Sequence, residues 1–452
     1  MNILIRISIP AAIALTLSPS AALPAPLAAA APDRRISAAL QAVSATRIKT
    51  TIDKLVAFGT RSTLSAQEPA SIKAGRGIGA ARDWIKSELE RYSLDCGGCL
   101  EVGTDSFIEG PAERIPAPIT LTNVYAVMKG TDPASANRVA LITGHYDSRN
   151  SDTLDVTGDA PGANDDGSGT AASLECARVL SRLKFPGTVI FLTVAGEEQG
   201  LNGSRHFAKL ARAKGWIIEA VLNNDIVGGD RGPAQDNGVV RVFSEGVPSA
   251  ADDKMLQRIR ARGGESDSTS RQLARFIAET GALYATAVKP LLIFRPDRYL
   301  RGGDHSSFND EGYAAVRFTE YRENYAHQHQ NVRTEGGVEF GDSAKFVNTD
   351  YVAGVVRLNA AVLAALASAP PAPAGVALRT TALENDSTLT WQRSARAAGY
   401  EVLWRSTTSP VWEHAQSVGN GTSATLPISK DNVIFAIRAL DAQGHRSLAA
   451  AP

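Results

Sequence analysis

Three short stretches of this 452-residue chain carry side chains whose types and spacing suit metal-assisted hydrolysis. In LITGHYDS an apolar run, Val139 to Ile142, delivers His145 and, two residues later, Asp147. In VIFLTVAGEE a second run delivers Glu197 and Glu198, and between the two lies PGANDDGSG with Asp165 and Asp166. Such chemistry needs nitrogen ligands, carboxylates that hold the cations, one carboxylate whose two oxygens reach two of them, and a free carboxylate to take a proton from water. His145 is a candidate ligand, and Asp147, on the same side of an extended segment, can hold its imidazole from behind. Asp165, in a tight glycine-flanked loop, can reach between two metals. Glu198 can bind one of them while Glu197, adjacent but aimed differently, stays free as the base. Asp225 closes another apolar run, and a second histidine from later in the chain must complete the pair.

Taken singly, these signals are weak. A strand-end histidine is more often structural, and paired glutamates more often form a solvated face. Here apolar residues precede Glu197 and Glu198 directly, and Gly196 permits a close turn, which a solvated face does not need.

The elements that must position these residues follow from periodicity. Residues 33–60 and 81–92 show apolar residues at helical spacing, with a polar loop over 59–75 between them. Strands are expected at 121–128, 138–145, 187–195 and 216–223, and a helix at 168–183 directly after the Asp165 loop, with another at 203–214. Further on come strands near 239–243, 291–294 and 314–318, a helix at 270–280 and a long closing helix at 346–367. RGGDHSSFNDEG, with Asp304 and His305, reads as a loop. Strands alternating with helices, several apolar on both faces, indicate an α/β domain. Chemistry then gathers at the carboxyl ends of the strands.

Composition changes after residue 368. Ala369-Pro370-Pro371-Ala372-Pro373 reads as a stiff linker, and 374–452 as short alternating strands carrying three of the five tryptophans, an all-β sandwich pattern. At the other end, Arg6, the short apolar run from Ile7 and the small residues up to Ala31 form the pattern of a cleaved secretory signal over 1–31, so a secreted or periplasmic protein is expected. No later segment reads as a membrane span. Lys plus Arg and Asp plus Glu are both 47, giving zero formal charge, and nothing in that balance suggests nucleic acid. Cys96 and Cys99, in CGGC, can close a small disulfide loop in an oxidising compartment; Cys176 reads as a buried apolar residue.

Taken together, the motifs HYD, NDDGSG and GEE, with Asp225 and a late histidine, resemble the co-catalytic dizinc exopeptidases of the bacterial leucyl-aminopeptidase type. These are related to glutamate carboxypeptidase and glutaminyl cyclase, and the resemblance runs over residues 40–368. It implies a mixed, mainly parallel sheet flanked by helices, and two zinc ions: His145 and Asp225 on one, Glu198 and the late histidine on the other. It also implies Asp165 as the bridge, followed by a cis peptide to Asp166, and Glu197 as general base and acid. The late histidine is expected to be His327, because the family pairs it with a residue four places on, here Asn331, with His329 as competitor. The resemblance further implies that the loop with His305 lies over the site, where that imidazole can hydrogen-bond the oxyanion. The C-terminal region resembles a fibronectin type III module in LTW, GYEVLWR and FAIRALDAQGHRS.

The expected activity is removal of the N-terminal residue from a peptide with a free N-terminus, since amines suit the carboxylates of this rim. Rival readings are a carboxypeptidase, which would need arginines such as Arg149 or Arg301 for the substrate carboxylate, a one-zinc glutaminyl cyclase, and a non-catalytic binding protein.

Overall fold

Alternation inside the apolar runs decides the layering. The computed structural model describes residues 31–452 apart from Pro233 and Ala382, so the expected signal lies, but for its last residue, outside the described residues. The central sheet has eight strands: β1 (Glu101–Glu109), β2 (Ile119–Met128), β3 (Arg138–His145), β4 (Thr188–Val194), β5 (Ile217–Asn224), β6 (Val239–Ser244), β7 (Lys289–Ile293) and β8 (Ala315–Glu320). Their spatial order is β1-β2-β4-β3-β5-β8-β6-β7. The centre, β4-β3-β5-β8, is parallel, β1 and β2 add antiparallel at one edge, and β6 runs antiparallel to β8. This is the mixed, mainly parallel sheet that the resemblance implies, within the α/β class that periodicity predicts.

Side chains on a strand point alternately to the two faces. Ala140, Ile142, Val189 and Phe191 enter the larger core, whereas Val139, Leu141, Ile190 and Leu192 enter the smaller one. The larger core is built with α1 (Arg34–Gln41), α2 (Ala45–Val56), α4 (Gly77–Asp95), α5 (Gly167–Leu180), α8 (Thr269–Leu283) and α10 (Thr349–Ser368). The short α3 (Pro69–Ala74) and α7 (Asp253–Arg262) bury no residue. The opposite face is covered by α6 (Asn202–Ala213) and α9 (Asp304–Asp310), through Phe207 and Phe308. By length and composition α10 could cross a membrane, contrary to the expectation that no later segment would. It is instead the central core helix, with Val352, Val355, Leu358, Val362 and Leu363 fully buried.

Cys96 and Cys99 form a disulfide and Cys176 is a buried thiol. Residues 377–440 build two antiparallel three-stranded sheets, which share a core of Leu389, Trp391, Tyr400, Val402, Trp404, Phe435 and Ile437. The stretch expected as a stiff linker is packed down. Ala369 is buried, and its carbonyl and that of Pro370 accept hydrogen bonds from Arg138, whose guanidinium also grips Glu219.

Candidate metal centre

The strand ends bring the chemistry together. His145 is the last residue of β3, Asp225 directly follows β5, and Glu197 and Glu198 follow β4 through Gly196, whose φ of 75° is one that glycine adopts freely. These three strands are neighbours, so their carboxyl ends form one rim. The Asp165 loop arrives there because α5 starts beside it. Asp166 caps that helix by accepting from the Gly169 N–H at 2.8 Å, and its other oxygen accepts from the His145 N–H at 3.0 Å. The Asp165–Asp166 peptide is cis.

Asp165 is the middle of the arrangement. Its Oδ1 lies 3.1 Å from His145 Nε2, and Asp225 Oδ1 lies 3.9 Å from the same nitrogen. Its Oδ2 lies 2.9 Å from His329 Nε2, which is 3.0 Å from Glu198 Oε1. One carboxylate thus gives an oxygen to each of two clusters, His145–Asp165–Asp225 and Asp165–Glu198–His329.

The donor set fits zinc. Nitrogen and carboxylate ligands at bond lengths of about 2 Å around a tetrahedral ion lie roughly 3.3 Å apart, and the observed separations bracket that value. His145 Nε2 and Glu198 Oε1 are buried and close to opposite charge, yet neither makes a well-aligned hydrogen bond. Each is a buried donor atom left over for the cluster to which it belongs.

The supports are specific. Asp147, fully buried, sits behind His145, with Oδ1 3.4 Å from Nδ1. It also accepts from Thr63 Oγ1 at 2.7 Å and from the Glu198 N–H at 3.2 Å, so one carboxylate ties β3 to the turn after β4. Two supports have no sequence signal. Asp342 accepts from the Asn164 and Asp165 N–H groups at 2.9 and 2.7 Å; burial lifts its carboxyl to about 7. Arg61, fully buried, donates to the carbonyls of Leu55, Tyr146, Pro161 and Gly162 and so clamps the Asp165 loop to the end of β3.

The crowded charges perturb one another. Burial raises Glu197 well above the usual carboxylate range, with Asp225 and Glu198 adding to the rise against the pull of His145. His145 is raised despite burial because Asp147 and Asp165 face it. The positive side of the rim is Arg317, fully buried, with Nη2 2.9 Å from Asp225 Oδ1.

Two sequence expectations are corrected. His327 does not join the cluster: Nδ1 contacts Asp230, and the ring stacks on Phe346 at 3.6 Å between centroids. Asn331, its expected partner, instead accepts from the Ser151 N–H and hydroxyl. His329 occupies the position instead, on a left-handed backbone (φ 55°), with its Nε2 on Asp165 and Glu198. His305 does not face the cavity either. Its segment is the helix α9 and not a loop, and its buried Nε2 meets the Pro296 carbonyl at 2.8 Å.

The cluster forms the floor of a cleft of about 360 Å³. Residues 123–334 match Peptidase family M28. A probable zinc metalloprotease of Pyrenophora tritici-repentis is 46% identical over 93% of this chain and 87% of its own length. Another, from Leptosphaeria maculans, is 45% identical over 93% and 97%. In fold the chain is similar to the LapA aminopeptidase of Legionella pneumophila (TM-score 0.52, 21% identity, 74% of each chain). It is similar as well to a glutaminyl cyclase of Macrostomum lignano (TM-score 0.51, 15% identity, 74% of this chain and 95% of that one). With that identity to the fungal proteases and a rim built of these ligand types, the chain belongs to the M28 family of zinc metallopeptidases.

Proposed function

We propose that the protein is a two-zinc aminopeptidase. Asp165 carries this reading: a single carboxylate with one oxygen in each of two ligand clusters is what a pair of cations sharing a site requires. His145 and Asp225 would hold one ion and Glu198 and His329 the other. Zinc there supplies Lewis acidity and lowers the pKa of a coordinated water.

The chain's own residues do the rest. Glu197 lines the cleft beside Glu198 but belongs to neither cluster, so its carboxylate is free to take the proton of the attacking water and to deliver it to the leaving amine. Asp147 fixes both His145 and the backbone of Glu198, so base and ligands keep a constant spacing. Release of the N-terminal residue is supported by the carboxylates at the floor, which suit a free amine, and by the likeness in fold to the Legionella aminopeptidase. The N-terminal secretory pattern and the Cys96–Cys99 disulfide support action outside the cytoplasm.

Replacing Glu197 by Gln keeps the shape and removes the base. Turnover of peptide substrates by Glu197→Gln is expected to fall by about 10²–10⁴-fold, while bound zinc stays at the wild-type level. Retention of most activity would show that another group moves the proton.

A further inference from the structure

Above the metal cluster the cleft is walled by guanidinium groups. Arg114, Arg149, Arg298, Arg301 and Arg317 all line it, and among the described lining residues Leu201 alone carries an apolar side chain. An apolar N-terminal residue would find almost nothing to pack against there.

These guanidiniums outnumber the carboxylates outside the metal clusters that pair with them. Arg241, Arg298 and Arg301 share one carboxylate, Glu323, at 2.9, 2.8 and 3.1 Å. Asp297 is shared between Arg298 and Arg317, at 3.1 and 3.5 Å. Arg114 donates to the Glu198 carbonyl. Arg149 uses only Nε, on the Asn150 carbonyl, and its nearest carboxylate, Glu198, is 4.0 Å away. The carboxylates of the floor belong to the metal clusters, apart from Glu197. Glu323 and Asp297 are thus divided among several guanidiniums, with Arg317 also on Asp225. Among the described residues Arg149 reaches no carboxylate closer than 4.0 Å, and Arg301 is the most exposed of the three on Glu323. The planar forks of Arg149 and Arg301 suit bidentate recognition of a carboxylate.

We infer that this cleft recognises a substrate carboxylate next to the scissile bond, gripped by Arg149 and Arg301. The inference rests on the aminopeptidase reading, under which the carboxylate is the side chain of an N-terminal Asp or Glu. The amine of such a residue faces the acidic floor and its side chain the basic wall.

The full-length, zinc-loaded chain is assayed on glutamyl, aspartyl, leucyl and lysyl anilides, and on N-blocked peptides with free or amidated C-termini. The acidic anilides are expected to exceed the leucyl and lysyl ones in kcat/KM by about tenfold or more. Arg149→Gln and Arg301→Gln are each expected to shrink that ratio by about tenfold, mainly through KM, with Arg301→Lys recovering part of it. Leucyl or lysyl anilide hydrolysed as well as the acidic ones would overturn carboxylate recognition and leave the aminopeptidase reading standing. Cleavage of only the N-blocked peptides, abolished by C-terminal amidation, would overturn the aminopeptidase reading and assign the arginines to a terminal carboxylate. The wild-type panel decides between these outcomes even where a variant fails to fold.

Discussion

His327 and His329 are two residues apart and do different work. The ring of His329 reaches Asp165 and Glu198; that of His327 lies against Phe346 and Asp230. His329→Ala is expected to lose one of two bound zincs and nearly all activity. His327→Ala is expected to keep both metals and to lower stability by about 1–3 kcal/mol through the lost stack and hydrogen bond; metal content and melting curves for the two variants check this. His145, Asp147, Asp165, Glu197, Glu198 and Asp225 were legible in the sequence because each sits where an apolar run or a glycine-flanked turn ends in charge. The last histidine was not, since its position depends on the backbone turning left-handed at residue 329, which spacing along the chain does not reveal. Asp342 and Arg61 were invisible for a related reason: they act on backbone groups of segments distant in sequence.

At the scale of elements, the site depends on a loop held from outside. Asp342 takes the Asn164 and Asp165 N–H groups, and Arg61 takes the carbonyls of Pro161 and Gly162, so both sides of the loop backbone are tied to distant segments. Asp342→Ala leaves those two N–H groups without their acceptor and lets the shared carboxylate wander. A loss of zinc affinity of about 10–100-fold is expected, to be read by titration against a competing chelator. The buried elements β3, β4, β5, α5 and α10 announce themselves by apolar period. Those that were missed have little to bury: α3 and α7 have no buried residue, and β1 is an edge strand with one, Asp105. The helix α9 was hidden by its polar sequence, DHSSFND, although most of it is buried against the sheet.

At the scale of the whole molecule, the C-terminal β module is fastened and not tethered. Asp267 pairs with Arg275 at 3.1 Å and with Arg405 of the module at 2.9 Å, and Arg438 of the module pairs with Glu279 at 2.6 Å. We propose its kinship with fibronectin type III modules on its paired antiparallel sheets and tryptophan-rich core. One of its fastenings is expected to respond to pH. His445 lies between Asp441, 2.8 Å away, and Asp33 at the start of α1, 3.3 Å away, and the hydrogen bond to Asp441 raises its pKa. A pKa raised on folding adds stability that is complete below the unfolded value, about 6.5, and fades as pH rises through the folded value. The melting temperature of the wild type should therefore exceed that of His445→Gln most below about pH 6, and the difference should shrink under alkaline conditions. The central claim, two zincs sharing Asp165, is tested most directly by diffraction from zinc-loaded crystals of the full chain at the zinc absorption edge. The account predicts two anomalous peaks, one within bonding distance of His145 and Asp225, the other of Glu198 and His329, with an Asp165 oxygen on each. A single peak, or one ligated by His327, would contradict it.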